Sequence, residues 1–203
     1  MARLTSVCVY CGSASGANPA YTEAARTLGR AMAEHGIALV YGGGSVGLMG
    51  EVARAVLANG GQVVGIIPRF LLAREELMPA LTETVITEDM HQRKMLMFDR
   101  ADAFVALPGG VGTLEELVEQ MTWAQLGRHE KPVLLANIDG FWDALVRLLE
   151  QMRREGFIRY GLEVSCRIAN RAEDVVPMLI EAAARRPEAE LEKTAAEGTL
   201  SRM

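Results

Sequence analysis

The stretch "DAFVALPGGVGTLEEL", residues 102–117, runs from an apolar segment through a proline and three glycines into a helix that opens on paired glutamates. The segment before the turn has the near-continuous hydrophobicity of a strand buried on both faces. Glycine-rich strand-to-helix turns cradle phosphates, because bare backbone N–H groups and the positive helix end point at the anion. The glutamates one turn further on would repel a phosphate. Either they only cap the helix, or they act on another part of a phosphorylated ligand.

The same rhythm extends in both directions from this unit. Strands are expected at residues 4–10, 37–41, 62–67, 82–87, 103–107 and 132–137. Helices are expected near 19–35, 47–59, 70–77, 88–100, 113–127 and 140–155, with a last one near 171–185. Short apolar runs alternating with helical patterns predict an α/β fold, a Rossmann-like parallel sheet with helices on both faces. Residues 1–185 read as one nucleotide-binding catalytic domain, and the charged stretch 186–203 as a polar tail. The chain has 203 residues, half of them hydrophobic, which is enough for one sizeable core.

A net charge of -5 argues against a broad nucleic-acid surface. Cys8, Cys11 and Cys166 are odd in number and lack zinc-like spacing, which points to a reducing, cytoplasmic setting. The N-terminus has no signal-peptide pattern, and no apolar run reaches the roughly 20 residues of a membrane span. The three histidines form no metal-like cluster, and His91 reads as structural.

Ligands of an open α/β sheet bind beyond the carboxyl ends of its strands. Three glycine-bearing turns are expected at that edge: "CGSASG" (11–16), "YGGGSVGLMG" (41–50) and "PGGVGTLEE" (108–116). Together they predict a pocket of nucleotide or phosphate size. The second turn contains a formal G-x-G-x-x-G, Gly42 to Gly47, which alone suggests a dinucleotide. That reading needs an acidic residue at the end of the next strand. The strand ends "GIIPRF" instead, so NAD is disfavoured, and Arg69 leaves only a thin case for NADP.

Thr113 and Glu116 form a T-x-x-E pattern, which fits a capping box as well as a functional role. Leu114, Leu117, Val118 and Met121 make one apolar stripe expected to face the sheet. Glu116 then lies roughly opposite, in register with Trp123. A tryptophan on a wet face is either a lone exposed aromatic or the mark of a covering subunit. In "EDMHQRKMLMFDRAD" (88–102), Met90, Arg93, Lys94 and Met97 share a helical stripe. The two cations either snorkel to water or await a carboxylate or phosphate.

The paired signatures "PGGVGTLEE" and "MHQRK", with "YGGGSVGLMG", "VGIIPRF" and "TWAQLG", resemble the LOG family, cytokinin riboside 5′-monophosphate phosphoribohydrolases long mislabelled as lysine decarboxylases. The similarity runs in order from about residue 4 to residue 180. It implies hydrolysis of the N-glycosidic bond of AMP or an N6-substituted adenosine 5′-monophosphate, giving the free base and ribose 5-phosphate. It places the phosphate at Gly110, Val111, Gly112 and Thr113, and names Glu116 and Arg93 as catalytic. Lys94, Glu75 and Thr122 match nucleotide-contact positions, and Gly109 and Glu115 fall within the substrate-binding motif. Gly12, Ser13, Gly43 and Gly44 would line the ribose and base.

The resemblance also implies a homodimer with sites near the subunit interface, and neither cofactor nor metal. Val111 stands where the family often has tyrosine or leucine. A lysine decarboxylase reading would need a Schiff-base lysine for pyridoxal phosphate. None of Lys94, Lys131 and Lys193 has a convincing setting for one. The principal rival is a module that binds a nucleoside monophosphate without cleaving it.

Overall fold

A computed structural model describes residues 4–73, 76–158 and 166–185. Seven strands form a single parallel sheet: β1 (Ser6–Tyr10), β2 (Ala38–Tyr41), β3 (Val63–Pro68), β4 (Glu83–Thr87), β5 (Ala103–Ala106), β6 (Val133–Ala136) and β7 (Arg167–Ala169). Their spatial order is β4-β3-β2-β1-β5-β6-β7. The helices are α1 (Pro19–Glu34), α2 (Gly47–Ala58), α3 (Met90–Asp99), α4 (Val111–Gln125), α5 (Asp143–Arg154) and α6 (Ala172–Ala184). The α/β, Rossmann-like parallel sheet expected from the alternation is therefore present.

Period-two side-chain alternation divides the core into two layers. Val7 and Val9 of β1, Ala103 and Val105 of β5, and Leu134 and Ala136 of β6 face one cluster, which α1, α2 and α6 complete. Cys8 and Tyr10, Phe104 and Ala106, and Val133 and Leu135 face the other, covered by α3, α4 and α5. β1 leads into α1 on the first face, whereas its neighbour β5 leads into α4 on the second. The sheet thus has its switch point between β1 and β5, where a crevice opens at the carboxyl edge.

Local sequence sets the helix starts. Asn18 caps α1 by accepting from the Ala20 N–H at 2.9 Å, with Pro19 at the first helical position. Asp89 caps α3 through the Gln92 N–H at 2.8 Å.

Two expectations need correction. No helix spans 70–77: Arg69–Leu71 is a single 3-10 turn, and Leu77 forms an antiparallel bridge with Gly44. The backbone there serves the glycine turn after β2. Ser45 N–H donates to the Glu76 carbonyl at 2.8 Å, and Met78 N–H to the Gly43 carbonyl at 3.0 Å. β7 is an addition to the expected strands, being three residues long with only one of them buried. Among the described residues no helix is long and apolar enough to cross a membrane.

Candidate functional site

The turn after β5 builds the centre of the site. Gly12 N–H donates to the Pro108 carbonyl at 3.1 Å and so ties the first glycine turn to this one. A side chain at position 109 would overlap Thr113, whose own side chain is buried beneath the turn. Gly109 is therefore needed for α4 to begin where it does. Helix α4 starts at Val111 with Gly110 as its N-cap, and no side chain caps it. Its first amides are left for an anion, reinforced by the helix dipole.

The capping-box reading of Thr113 and Glu116 fails on this geometry. Thr113 lies inside the first turn, whereas a capping threonine would occupy the position held by Gly110. Glu116 instead faces the crevice, with its side chain 14% exposed, and its Oε1 lies 3.7 Å from Arg93 Nη2 of α3. The Arg93 side chain is buried to a similar degree. Its Nη1 makes only a long contact of 3.8 Å with Met90 Sδ, and its Nε has no hydrogen-bond partner. A buried guanidinium with donors to spare beside a cavity is suited to an incoming anion.

Burial pushes the Glu116 carboxyl up to about 7, Arg93 pulls it back, Glu115 raises it, Lys94 lowers it and Glu119 raises it. Cys8 and Tyr10 of β1, and Cys11 just after it, lie close enough to feel its charge. Burial, and then Glu116, drives the Cys11 thiol well above its ordinary range. Cys11 is a neutral wall of the site at physiological pH, not a nucleophile.

Arg93 and Glu116 line a cavity of about 330 Å³ with the amide-bearing run Gly110–Thr113, Glu115, Gly12 and Ser13. Cys11, Met49 and Met90 supply its apolar walls, a role that the sequence motifs do not assign to them. Met90 stands in the M-H-Q-R-K segment, which is the one available signal. An apolar cavity of about 270 Å³ adjoins it across Gly12, Ser13 and Gly110, and Gly109 belongs to that second space with Tyr21, Leu48 and Phe141. Among the described residues no three His, Cys, Asp or Glu side chains are grouped to hold a metal ion.

The other described candidates do not line this cavity. Lys94 Nζ donates to Glu115 Oε1 and Glu119 Oε1, both at 2.8 Å, bracing α3 against α4. Burial works against the Lys94 ammonium, but these two bonds outweigh it and its pKa is raised. Gly43 and Gly44 do not line either of these two cavities: a side chain at 43 would meet Ile67 and Leu77, and Gly44 bridges to Leu77. Thr122 is exposed and donates to the Val118 carbonyl at 2.7 Å. Glu75 lies outside the described residues.

The stripe assigned to α4 also needs correction. Leu117 and Met121 are buried, but Leu114 and Val118 are 36% and 41% exposed. Trp123 is not on a wet face. It packs edge-on against Phe98 at 5.2 Å, and the Arg128 guanidinium lies 4.1 Å over its ring.

The family model described as "Possible lysine decarboxylase" matches residues 49–179. Cytokinin riboside 5′-monophosphate phosphoribohydrolase LOG7 of Arabidopsis thaliana is 53% identical over 77% of this chain and 72% of its own length. Cytokinin riboside 5′-monophosphate phosphoribohydrolase LOG of Oryza sativa subsp. japonica is 52% identical over 77% of this chain and 64% of its own length. A solved Moco carrier protein from Chlamydomonas reinhardtii superposes with a TM-score of 0.67 over 91% of this chain and all of its own, at 21% identity. At that identity the likeness is one of fold alone. Identity at about half of the aligned positions to the plant enzymes, over most of the chain, settles the kinship: the chain belongs to the LOG family.

Proposed function

We propose that this protein hydrolyses the N-glycosidic bond of AMP or an N6-substituted adenosine 5′-monophosphate, releasing the free base and ribose 5-phosphate. The observation that carries the reading is the meeting of three parts in one cavity: an uncapped α4 N-terminus, Glu116 beyond its first turn, and the buried Arg93. The 5′-phosphate sits on the amides of Gly110–Thr113, and α4 leads from the phosphate toward the sugar. As the bond from C1′ to the base nitrogen breaks, positive charge builds on the ribose ring. The Glu116 carboxylate stabilises that charge and accepts a proton from the attacking water. Arg93 opposes the effect of burial, so that Glu116 ionises around neutral pH instead of higher, and offsets the crowding of its carboxylate with the phosphate. The bond electrons leave with the base, which takes up a proton.

Chromatography of base release across a panel of nucleoside monophosphates tests the reading. Binding energy from the non-reacting phosphate should go into the chemical step, so kcat/KM for AMP should exceed that for adenosine on the order of 10³-fold. Equal rates on the two would remove the phosphate-gripping role of α4. Stoichiometric binding of AMP with no adenine release would identify a carrier instead.

The active unit we propose is a homodimer. Val111, Leu114, Val118 and Leu126 leave an exposed apolar ridge along α4, with Val111 84% and Leu126 75% exposed. The ridge starts at the cavity mouth, and a second copy seated on it would shield the site from water. Thr122 lies on the same ridge, so the nucleotide it contacts is the one held by the partner copy. The variant Leu114→Glu/Val118→Glu should elute as a monomer with much reduced base release. A wild-type protein that is itself monomeric and active would rule the dimer out. Three free cysteines suit a reducing cytoplasm as the site of action.

A further inference from the structure

The G-x-G-x-x-G of the β2–α2 turn matches a phosphate-binding fingerprint, yet Gly43 and Gly44 do not reach the cavity. Its first glycine has another neighbour. Arg93 reaches Glu116 by passing its guanidinium over the backbone at the end of β2. A Cβ at position 42 would overlap Arg93 Nη2 and lie 3.5 Å from Arg93 Cζ and 3.3 Å from Met49 Sδ. Nη2 is the same nitrogen that faces Glu116 Oε1 at 3.7 Å.

Hydrogen bonds do little to hold that guanidinium, since Nε is unpartnered and Nη1 meets only a thioether. Nη2 occupies the space that a side chain at position 42 would need, with Met49 Sδ beside the same spot. We infer that Gly42 is a positioning residue for the reaction: the bare backbone at the end of β2 is the seat that delivers Arg93 to Glu116. The inference rests on the hydrolase reading above. It assigns the first glycine of the fingerprint to the enzyme's own arginine, not to a ligand phosphate.

Gly42→Ala, Arg93→Ala and the double variant test it by kinetics on AMP and by thermal melting. Gly42→Ala should lower kcat roughly 10- to 100-fold with KM changed less than about threefold, the split expected when an interaction of the transition state is lost. Adding Gly42→Ala to Arg93→Ala should lower kcat no further, because the two act through one contact. The melting temperature should fall when the methyl is added beside Arg93 and stay within about 1 °C when Arg93 is absent. Recovery of folded protein in the double variant, should Gly42→Ala alone not fold, would support the same contact.

Additive losses in kcat or in melting temperature would overturn the inference. So would a raised KM at unchanged kcat, which would mean that the turn grips the nucleotide directly. The melting cycle needs no turnover, so it reads the contact between Gly42 and Arg93 even if wild-type protein releases no base. In that event the hydrolase reading fails separately.

Discussion

Glu116→Gln is expected to lower adenine release from AMP by roughly 10²–10⁴-fold and, at the same time, to stabilise the protein at alkaline pH. The first effect follows from removing the carboxylate that faces the sugar and takes the proton from water. The second follows from the environment of that carboxylate. Burial holds its pKa at about 7, above the ordinary 4.5. Between those values the folded protein holds a proton that the unfolded chain has released, so its stability falls as pH rises through that window. Above it, forcing Glu116 to ionise in its buried position costs up to roughly 3 kcal/mol. Glutamine mimics the protonated acid and escapes this cost. The variant should therefore melt several degrees above wild type near pH 8, with the difference vanishing toward about pH 5. Base release and melting curves over that range check both halves. Near-normal turnover would remove Glu116 from the chemistry. Melting curves of the two proteins that stay parallel across the range would show that the buried carboxylate carries no such cost.

The fold is legible in the sequence wherever a segment is buried uniformly. Five of the six expected strands follow from apolar runs such as "AFVAL", because a strand covered on both faces leaves no room for polar residues, whereas the edge strand β4 is mostly exposed and shows only through the β-branched residues of "TVIT". β7 escapes because "RIA" is too short to show a period. The expected helix at 70–77 has adequate helical composition, but its backbone partners come from the distant turn after β2, which propensity does not register. The stripe on α4 is misplaced for a functional reason. The inward side of that helix carries Thr113, Glu116 and Gln120 among Leu117 and Met121. Polar residues on the covered side and leucine and valine on the open side displace the hydrophobic period from the true burial. Trp123 is misplaced with it, since its cover comes from Phe98 and Arg128 within the same chain. The motif residues fare unevenly for a similar reason. Spacing along one turn can be read directly, which places Gly110–Thr113 and Glu116 together. Whether Lys94 faces a ligand or a neighbouring helix depends on how α3 leans on α4, and the two glutamates that receive it lie more than twenty positions away.

Arg93→Ala should be the other severe lesion, and its loss should depend on pH. With the guanidinium gone, the largest influence opposing burial at Glu116 disappears, and the carboxyl pKa moves further above 7. If the ionised form is the active one, the rise of kcat/KM with pH moves to higher pH by the same amount. At a pH below the new midpoint, activity then falls about tenfold for every pH unit that the midpoint has moved. A deficit of roughly 10²-fold or more near pH 7 should shrink as pH approaches about 9, where Glu116 ionises without help. Arg93→Lys keeps a charge but not the reach of the guanidinium, and should fall between wild type and Arg93→Ala. Two alternatives make different profiles. If Arg93 only gripped the phosphate, KM would rise and the pH midpoint would stay in place. If Arg93 only held α3 against α4, the deficit would be the same at every pH and would track the melting temperature. A midpoint moved to higher pH at little changed KM separates control of Glu116 from both, because neither a grip on the phosphate nor a brace between helices predicts a change in where the carboxylate ionises.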